Sequence, residues 1–577
     1  MTRTPVTNAE IAAILFEIAE LLAFQGVAFK PRAYQRAAQS IESLGEDIRD
    51  VYARGELEDI PGVGENIAAK IATLIEEGGL PYLNELRKEL PAGMVKLLEV
   101  EGIGPKKALL LHKKLSVDDI DDLEKAAKAG KIRGLPGFGE TSEKNMLAAI
   151  QVYRERGSRF LLGCILPDAE AIEAALAGHP AVIRACLAGS IRRRRETIGD
   201  VDVLVATEKQ AAVTTFFCSL PQVTRVVMTG PAKSTIVVGD NLHVDMRVVR
   251  GEQFGAALQY FTGSKVHNIA LRQIAIGRGW KLSEYGLFTR EGGEVIARET
   301  EEEIYAALGL ADIPPELREG RGEIAAAREG TLPKLIGYDE VKGDLHVHSR
   351  WSDGGNTIRE MAQAAKARGW EYIAICDHSA GLPVAHGLTP EEIGEQGKEI
   401  EQVNRDLAGE GIAVLHGIEA NIDREGRPDV PKKVLRDLDV VIASVHSGFR
   451  QSEEEMTTRL LAAIHHDGVD IIGHPTCRLI QRRPPYGFDI DRVFAAAAAA
   501  HVMMEINAFP IRLDLSDLNC RRARDVGVMM GIGTDAHDTG HLGYMGLGVA
   551  VARRGWLERG DVINTRSLPG LLSWLER

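Results

Sequence analysis

At 577 residues the chain is too long for a single hydrophobic core, so several domains are expected. Apolar residues make up 45% and charged residues 26%, as in an ordinary folded polypeptide, and six cysteines without Cys-x-x-Cys spacing suggest neither a disulfide framework nor a cysteine zinc site. The net charge of −14 argues against a protein that coats nucleic acid non-specifically, but it leaves room for an enzyme whose basic residues are concentrated where they act.

At the amino terminus, Glu10, Glu17 and Glu20 stand where a signal peptide would be apolar. No run anywhere is long enough to span a bilayer, so a cytoplasmic chain without a membrane partner is expected. Residues 8–25 place Ile11, Ile14, Leu15, Ile18, Leu21 and Leu22 at helical spacing, which predicts a core-facing helix. The turn Pro61-Gly62-Val63-Gly64 leads directly into an amphipathic helix and aims free backbone N–H groups outward, which suits a phosphate. Related turns recur at Gly102-Ile103-Gly104 and at Leu135-Pro136-Gly137-Phe138-Gly139. The three resemble helix-hairpin-helix elements, which grip the DNA backbone without reading sequence, and the resemblance implies DNA contacts at Gly62, Gly64, Gly102 and Gly104.

From Leu187 to Val205 the chain carries a Gly-Ser pair, four consecutive arginines and an Asp-x-Asp. Val201 to Val205 alternates as a strand, and a period of two places Asp200 and Asp202 on one face. Adjacent carboxylates repel, so such a pair is normally held by a divalent cation. Gly189 allows close backbone approach and Ser190 can donate to a phosphate, which together read as a phosphoryl-transfer site. The runs from Lys233 to Gly239 and from His243 to Val249 read as adjacent strands, and residues 251–311 as helical. The stretch 311–333 is rich in Pro, Gly and charge and reads as a linker.

Beyond it, His346 and His348 lie two apart on a strand, followed by Asp353. Asp377-His378, Glu419, His446, His474, Asp535 and His537 then close a series of short apolar runs separated by helical segments. Catalytic groups at successive strand ends are what a TIM-like barrel predicts. Imidazoles mixed with carboxylates suit zinc, manganese or iron. Arg478, Arg482 and Arg483, just after His474, are candidates for a phosphate backbone, with a solvated loop as the equal alternative.

The string GSIRR…GDVDVLV resembles the palm motif of family X DNA polymerases, the DNA polymerase beta group. The resemblance implies Mg²⁺ held by Asp200, Asp202 and Asp245, and a triphosphate held by Gly189, Ser190 and Arg193. YFTGSKVHN resembles the nucleotide-binding turn, where Tyr260, Phe261 and Gly263 line the sugar and Asn268 meets the base. Arg272 matches a template-strand contact, and Lys265 stands where vertebrate enzymes carry an acid, which adds attraction for a triphosphate. His243 replaces a family arginine beside Asp245. GVGENIAAKI matches the segment bearing a lyase lysine, here Lys70; Glu58, Asp59 and Asn66 replace phosphate-binding lysines, so weak 5′-phosphate binding and modest lyase activity are expected.

Residues 340–577, with HxH and GTDAH, resemble the PHP domain, a distorted (β/α)7 TIM-like barrel with a trinuclear site for Mn²⁺ or Zn²⁺. That resemblance implies one ion on His346, His348, Glu419 and Asp535, a second on Glu419, His446 and His474, and a third on Asp353, His378 and His537. The expected multidomain chain has helical DNA-binding parts at 1–90 and 91–155 and an α+β nucleotidyltransferase palm at 156–250. A thumb-like nucleotide and template subdomain at 251–315, a linker at 316–340 and the barrel at 341–577 complete it. Such a protein is expected to be a monomer that fills short gaps in primer-template DNA from dNTPs during repair. Its barrel is expected to trim 3′ ends and to cut at abasic sites. The alternatives are a phosphomonoesterase barrel, or a non-catalytic DNA-end scaffold with a structural metal site.

Overall fold

The computed structural model describes residues 8–24, 30–42, 48–77, 79–88, 97, 100, 103, 105–139, 142–144, 146–147, 149–150, 159–239, 241–382 and 385–576. They fall into two compact units, one of residues 1–157 with the short stretches 348–361 and 481–483, and one of residues 158–347, 362–480 and 484–577.

The first unit is helical. Helix Asn8–Phe24 buries Ile11, Leu15, Ile18 and Leu22 because 3.6-residue periodicity puts them on one stripe. The stripe packs into one core with Ala37, Ala38 and Ile41 of Lys30–Glu42 and with Ile67, Ile71 and Leu74 of Glu65–Glu77. A second core gathers Ala108 and Leu111 of Pro105–Leu115 with Leu123, Ile132 and Phe138. Asp119 caps the helix Ile120–Lys128, its carboxylate accepting from the Asp122 amide at 2.8 Å.

The second unit opens with a five-stranded mixed sheet. In spatial order its strands are Arg184–Leu187, Val201–Ala206, Leu242–Val249, Lys233–Val238 and Val223–Met228. Val201–Ala206 is an interior strand and buries Val201, Val203, Leu204 and Val205 completely. It runs parallel to Leu242–Val249, and the register sets Asp202 beside Asp245.

Segment 251–311 is not wholly helical. After helices Phe254–Thr262 and Lys265–Gly277 the chain forms a three-stranded antiparallel sheet of Trp280–Ser283, Gly286–Thr289 and Val295–Ala297. The hairpin between its first strands turns at Gly286, whose φ of 146° excludes most side chains.

The expected linker is a second correction. Residues 311–340 carry the helix Glu323–Glu329, and Ile313, Leu317, Ala326 and Ala327 fill the same core as Leu271, Tyr305 and the barrel's Trp556. Three of its charged groups are buried because they are paired: Arg318 with Glu301, Glu316 with Arg553 at 2.7 Å, and Glu323 with His267 at 2.8 Å.

The remainder is a seven-stranded, all-parallel sheet in sequence order: Gly343–Val347, Tyr372–Ile375, Ala413–Asn421, Val440–Ser444, Ile471–Ile472, Met503–Asn507 and Met530–Gly533. A parallel bridge from Val347 to Ala536 and the Asp535 amide donating to the His346 carbonyl at 2.9 Å bring its two edges together, a nearly closed TIM-like barrel. Among the described residues no helix is long and apolar enough to cross a membrane.

Candidate metal centres and the arginine turn

Each barrel donor sits at or just past the carboxyl end of a strand. Three groups of donors bring their ligand atoms within 4.8 Å of one another: His346, His348 and Asp535; His378, Glu419 and His446; and His348, Asp353, His378 and His537. The residues expected from sequence therefore converge, although the grouping differs in detail, with His348 and His378 each shared by two groups. His474 joins through Glu419, its Nε2 lying 3.0 Å from that carboxylate. Glu419 stands amid imidazoles, with His378 at 2.8 Å and His446 at 3.2 Å. Burial alone would raise its pKa, but His446, His378 and His346 hold the carboxyl well below its ordinary range.

Groups not anticipated from sequence orient these donors. Glu505 accepts from His346 Nδ1 at 2.6 Å and also from the His474 amide. Asn421 Oδ1 lies 2.6 Å from His446 Nδ1, and the Asp535 carbonyl lies 2.8 Å from His537 Nδ1. Fixing one ring nitrogen leaves the other as a directed ligand, so the donor set fits divalent ions. Asn507 donates to Asp535 at 3.1 Å, and Arg512 reaches the same carboxylate at 3.4 Å with its side chain 21% exposed. An acid inside the otherwise apolar buried run Met503–Asn507 was a legible sign of Glu505; Asn421 shares the strand face of Glu419 by the two-residue period.

In the palm, Asp202 is half-buried on its strand and Asp200 is exposed just before it. Burial first, then the charges of Asp200 and Asp245, push the Asp202 carboxyl up to about 7. Gly189, at φ 61°, passes so close that an added Cβ would lie 2.5 Å from Asp202 Oδ2. Asp245 is held by Lys233 at 2.6 Å and by the Thr235 hydroxyl at 2.6 Å. Both groups come from the neighbouring strand Lys233–Val238.

Each of the four arginines is paired with an acid. Arg192 pairs with Glu301 at 2.6 Å, Arg193 with Glu319 at 3.0 Å, Arg194 with Glu170 at 3.3 Å and Arg195 with Glu319 at 3.7 Å. Arg193 also donates to the carbonyl of Thr262, and Gly263 is needed there because a Cβ would sit 3.0 Å from the Arg193 guanidinium. Tyr260 and Phe261 are half-buried and pack edge to face at 5.2 Å. Asn268 is buried and bonded at 2.7 Å to both the Tyr260 carbonyl and Gln259; Arg272 donates to its carbonyl at 3.2 Å. Lys265 is exposed and Ser190 half-exposed. Arg478, a phosphate candidate by sequence, instead pairs with Glu196 at 2.8 Å and with the Arg512 carbonyl at 2.9 Å.

In the helical unit Gly62, at φ 83°, turns close beside Arg36, and the Gly64 carbonyl accepts the first bonds of helix Glu65–Glu77. Gly102 and Gly104 lie outside the described residues. Lys70 donates to the Asn66 carbonyl at 3.0 Å and lies over the rings of Tyr82 at 4.9 Å and Tyr34 at 6.0 Å. Burial, then Lys30, lowers its pKa.

These features define a class: a two-centred protein joining a nucleotidyltransferase-like sheet to a barrel whose clustered donors fit divalent ions. Family models agree, matching a helix-hairpin-helix domain at 6–80 and a SAM-like helix-hairpin-helix tandem at 94–151. They also match a DNA polymerase beta thumb at 257–319 and a PHP domain at 344–508. A DNA polymerase/3′-5′ exonuclease PolX from Bacillus subtilis (strain 168) is 41% identical over 551 residues, covering 95% of each chain. A probable phosphatase from Thermoanaerobacter sp. (strain X514) is 32% identical over 38% of this chain and 89% of its own length. Another, from Caldanaerobacter subterraneus, is 37% identical over 34% and 75%. The chain belongs to the PolX family of DNA polymerases with a PHP domain.

Proposed function

We infer that this chain is a gap-filling DNA polymerase of repair whose barrel removes nucleotides from 3′ ends. The observation that carries the inference is the coexistence, in one chain, of the Asp202–Asp245 register and the converged barrel donors. In the palm, Asp200, Asp202 and Asp245 would hold Mg²⁺. In the barrel, His346, His348, Asp353, His378, Glu419, His446, His474, Asp535 and His537 would hold up to three Mn²⁺ or Zn²⁺. When bound, such ions supply Lewis acidity at phosphorus.

The chain's own groups do the rest. Ser190 and Arg193 hold the triphosphate of a dNTP, with Gly189 allowing its approach, and Lys265 adds attraction from the rim. Tyr260, Phe261 and Gly263 line the sugar, Asn268 fixes the base by way of the turn it is bonded to, and Arg272 meets the template strand. The hairpin glycines Gly62, Gly64, Gly102 and Gly104 bring backbone amides against DNA phosphates. In the barrel, Arg512 is the cation beside the ligand cluster and pairs with the scissile phosphate. Lys70, whose lowered pKa favours the free amine, supports a lyase step through a Schiff base at an abasic site.

Paired substitutions test the two centres: Asp200→Ala abolishes extension and spares degradation, whereas His346→Ala does the reverse. If Asp200→Ala also stopped degradation without nucleotide, two independent centres would be excluded. Undiminished borohydride cross-linking of Lys70→Ala to abasic DNA would remove Lys70 from the lyase step. A second reading, a phosphomonoesterase barrel, is favoured by the probable phosphatases that match 38% and 34% of this chain. It requires release of a 3′-terminal phosphate without shortening of the strand.

A further inference from the structure

The barrel reaches into the arginine turn of the palm. Arg554 ends the helix Met545–Arg554 and is 4% exposed. Its guanidinium donates to the Arg193 carbonyl at 2.7 Å, to Glu319 Oε1 at 3.1 Å and to Asp517 Oδ2 at 2.7 Å. Glu319 Oε1 is the same oxygen that accepts Arg193 Nε at 3.0 Å. Two guanidiniums, one from each domain, thus share one largely buried carboxylate. Asp517 is itself shared with Arg321 at 2.9 Å, and Arg521 donates to the Arg321 carbonyl at 2.8 Å. The side chain of Arg554 is therefore fixed by acids on both of its flanks.

A carboxylate so held is an internal stand-in for an anionic ligand of Arg193. Glu319 can release Arg193 to a triphosphate only if its own charge stays paired, because an unpaired buried carboxylate is costly. Arg554 provides that pairing, and its bond to the Arg193 carbonyl keeps the turn in place while the side chain moves. We propose that Arg554, a residue of the PHP barrel, is a positioning residue of the polymerase nucleotide site: it shares Glu319 with Arg193 and sets how readily Arg193 turns to an incoming triphosphate. The proposal rests on the reading of Arg193 as a triphosphate ligand. It makes nucleotide affinity a property of the barrel's outer wall, with no part for the barrel's metal donors.

The test uses the full-length chain on gapped DNA, reading KM for dNTP and kcat separately, with strand degradation in the absence of dNTP as the control for folding. Arg554→Met leaves Glu319 to Arg193 and, at 3.7 Å on its other oxygen, Arg195, and is expected to raise KM at least tenfold with kcat changed less than threefold and degradation within twofold. Glu319→Gln acts oppositely and lowers KM; in that background Arg554→Met has no further effect, so the double variant keeps the lowered KM, and Arg554→Lys recovers part of the loss. Unchanged KM in Arg554→Met, equal loss of KM, kcat and degradation, or additive effects in the double variant would each overturn the proposal. Arg193→Gln separates the underlying reading: unchanged KM there removes the triphosphate assignment itself. Raised KM there, with Arg554→Met unaffected, overturns the coupling alone.

Discussion

Barrel and palm both gather acids, yet they stand at different degrees of readiness. In the barrel, Glu505, Asn421 and the Asp535 carbonyl each hold one nitrogen of an imidazole, which leaves the other nitrogen of His346, His446 and His537 for the donor cluster. In the palm, protein groups occupy the candidate residues: Lys233 lies on Asp245, Glu319 on Arg193, and Asp202 is pushed toward protonation by burial and then by the charges of Asp200 and Asp245. The barrel is a cage organised by its own hydrogen bonds. The palm residues are held by internal counter-ions, which on the proposed function a charged substrate must displace.

The comparison can be broken at several points. Arg512 carries the largest expected effect outside the metal donors: Arg512→Met should slow degradation by about a hundredfold to a thousandfold, the cost of losing one donor to the reacting phosphate, without changing extension. Single-turnover degradation measures it, and an unaltered rate would leave Arg512 a structural partner of Asp535. Glu505→Gln keeps the shape but not the charge behind His346, and should weaken barrel metal affinity by about 10- to 100-fold. Chelator titration of the metal-loaded chain would show it, and unchanged affinity would contradict the prebuilt cage.

A smaller effect sharpens the palm side. Burial would raise Glu301, but Arg318 and Arg192 hold it at about 2, below its ordinary 4.5. A depressed carboxyl stabilises the fold fully above its unfolded pKa and loses that contribution as pH falls toward the folded value. Denaturant midpoints should therefore fall between pH 4.5 and 2 more steeply in the parent than in Glu301→Gln. Parallel curves would discard Glu301 as an anchor of the arginine turn.

The barrel was legible because its chemistry is local to strand ends: an apolar run followed by His, Asp or Glu states both the strand and the donor. The paired palm aspartates were legible for the same reason. The arginine run was half legible. Its sequence states charge, but its partners Glu301 and Glu319 lie more than a hundred residues away, and only folding shows that these acids claim the guanidiniums first. Residues 311–340 misled by composition. Pro, Gly and charge suggest a solvated spacer, whereas Arg318, Glu316 and Glu323 are buried because each meets a partner that composition does not reveal. Lys233 and Thr235 were hidden similarly, since strand order, not sequence neighbourhood, brings them to Asp245.

The contrast between a prebuilt cage and a substrate-assembled site is tested most directly by the metal content of the purified full-length chain, without DNA or nucleotide, after extensive buffer exchange. Retained Mn²⁺ or Zn²⁺ should persist in Asp200→Ala and be lost in Asp535→Ala and His446→Ala. Equal retention in all three variants, or loss on Asp200→Ala, would contradict it.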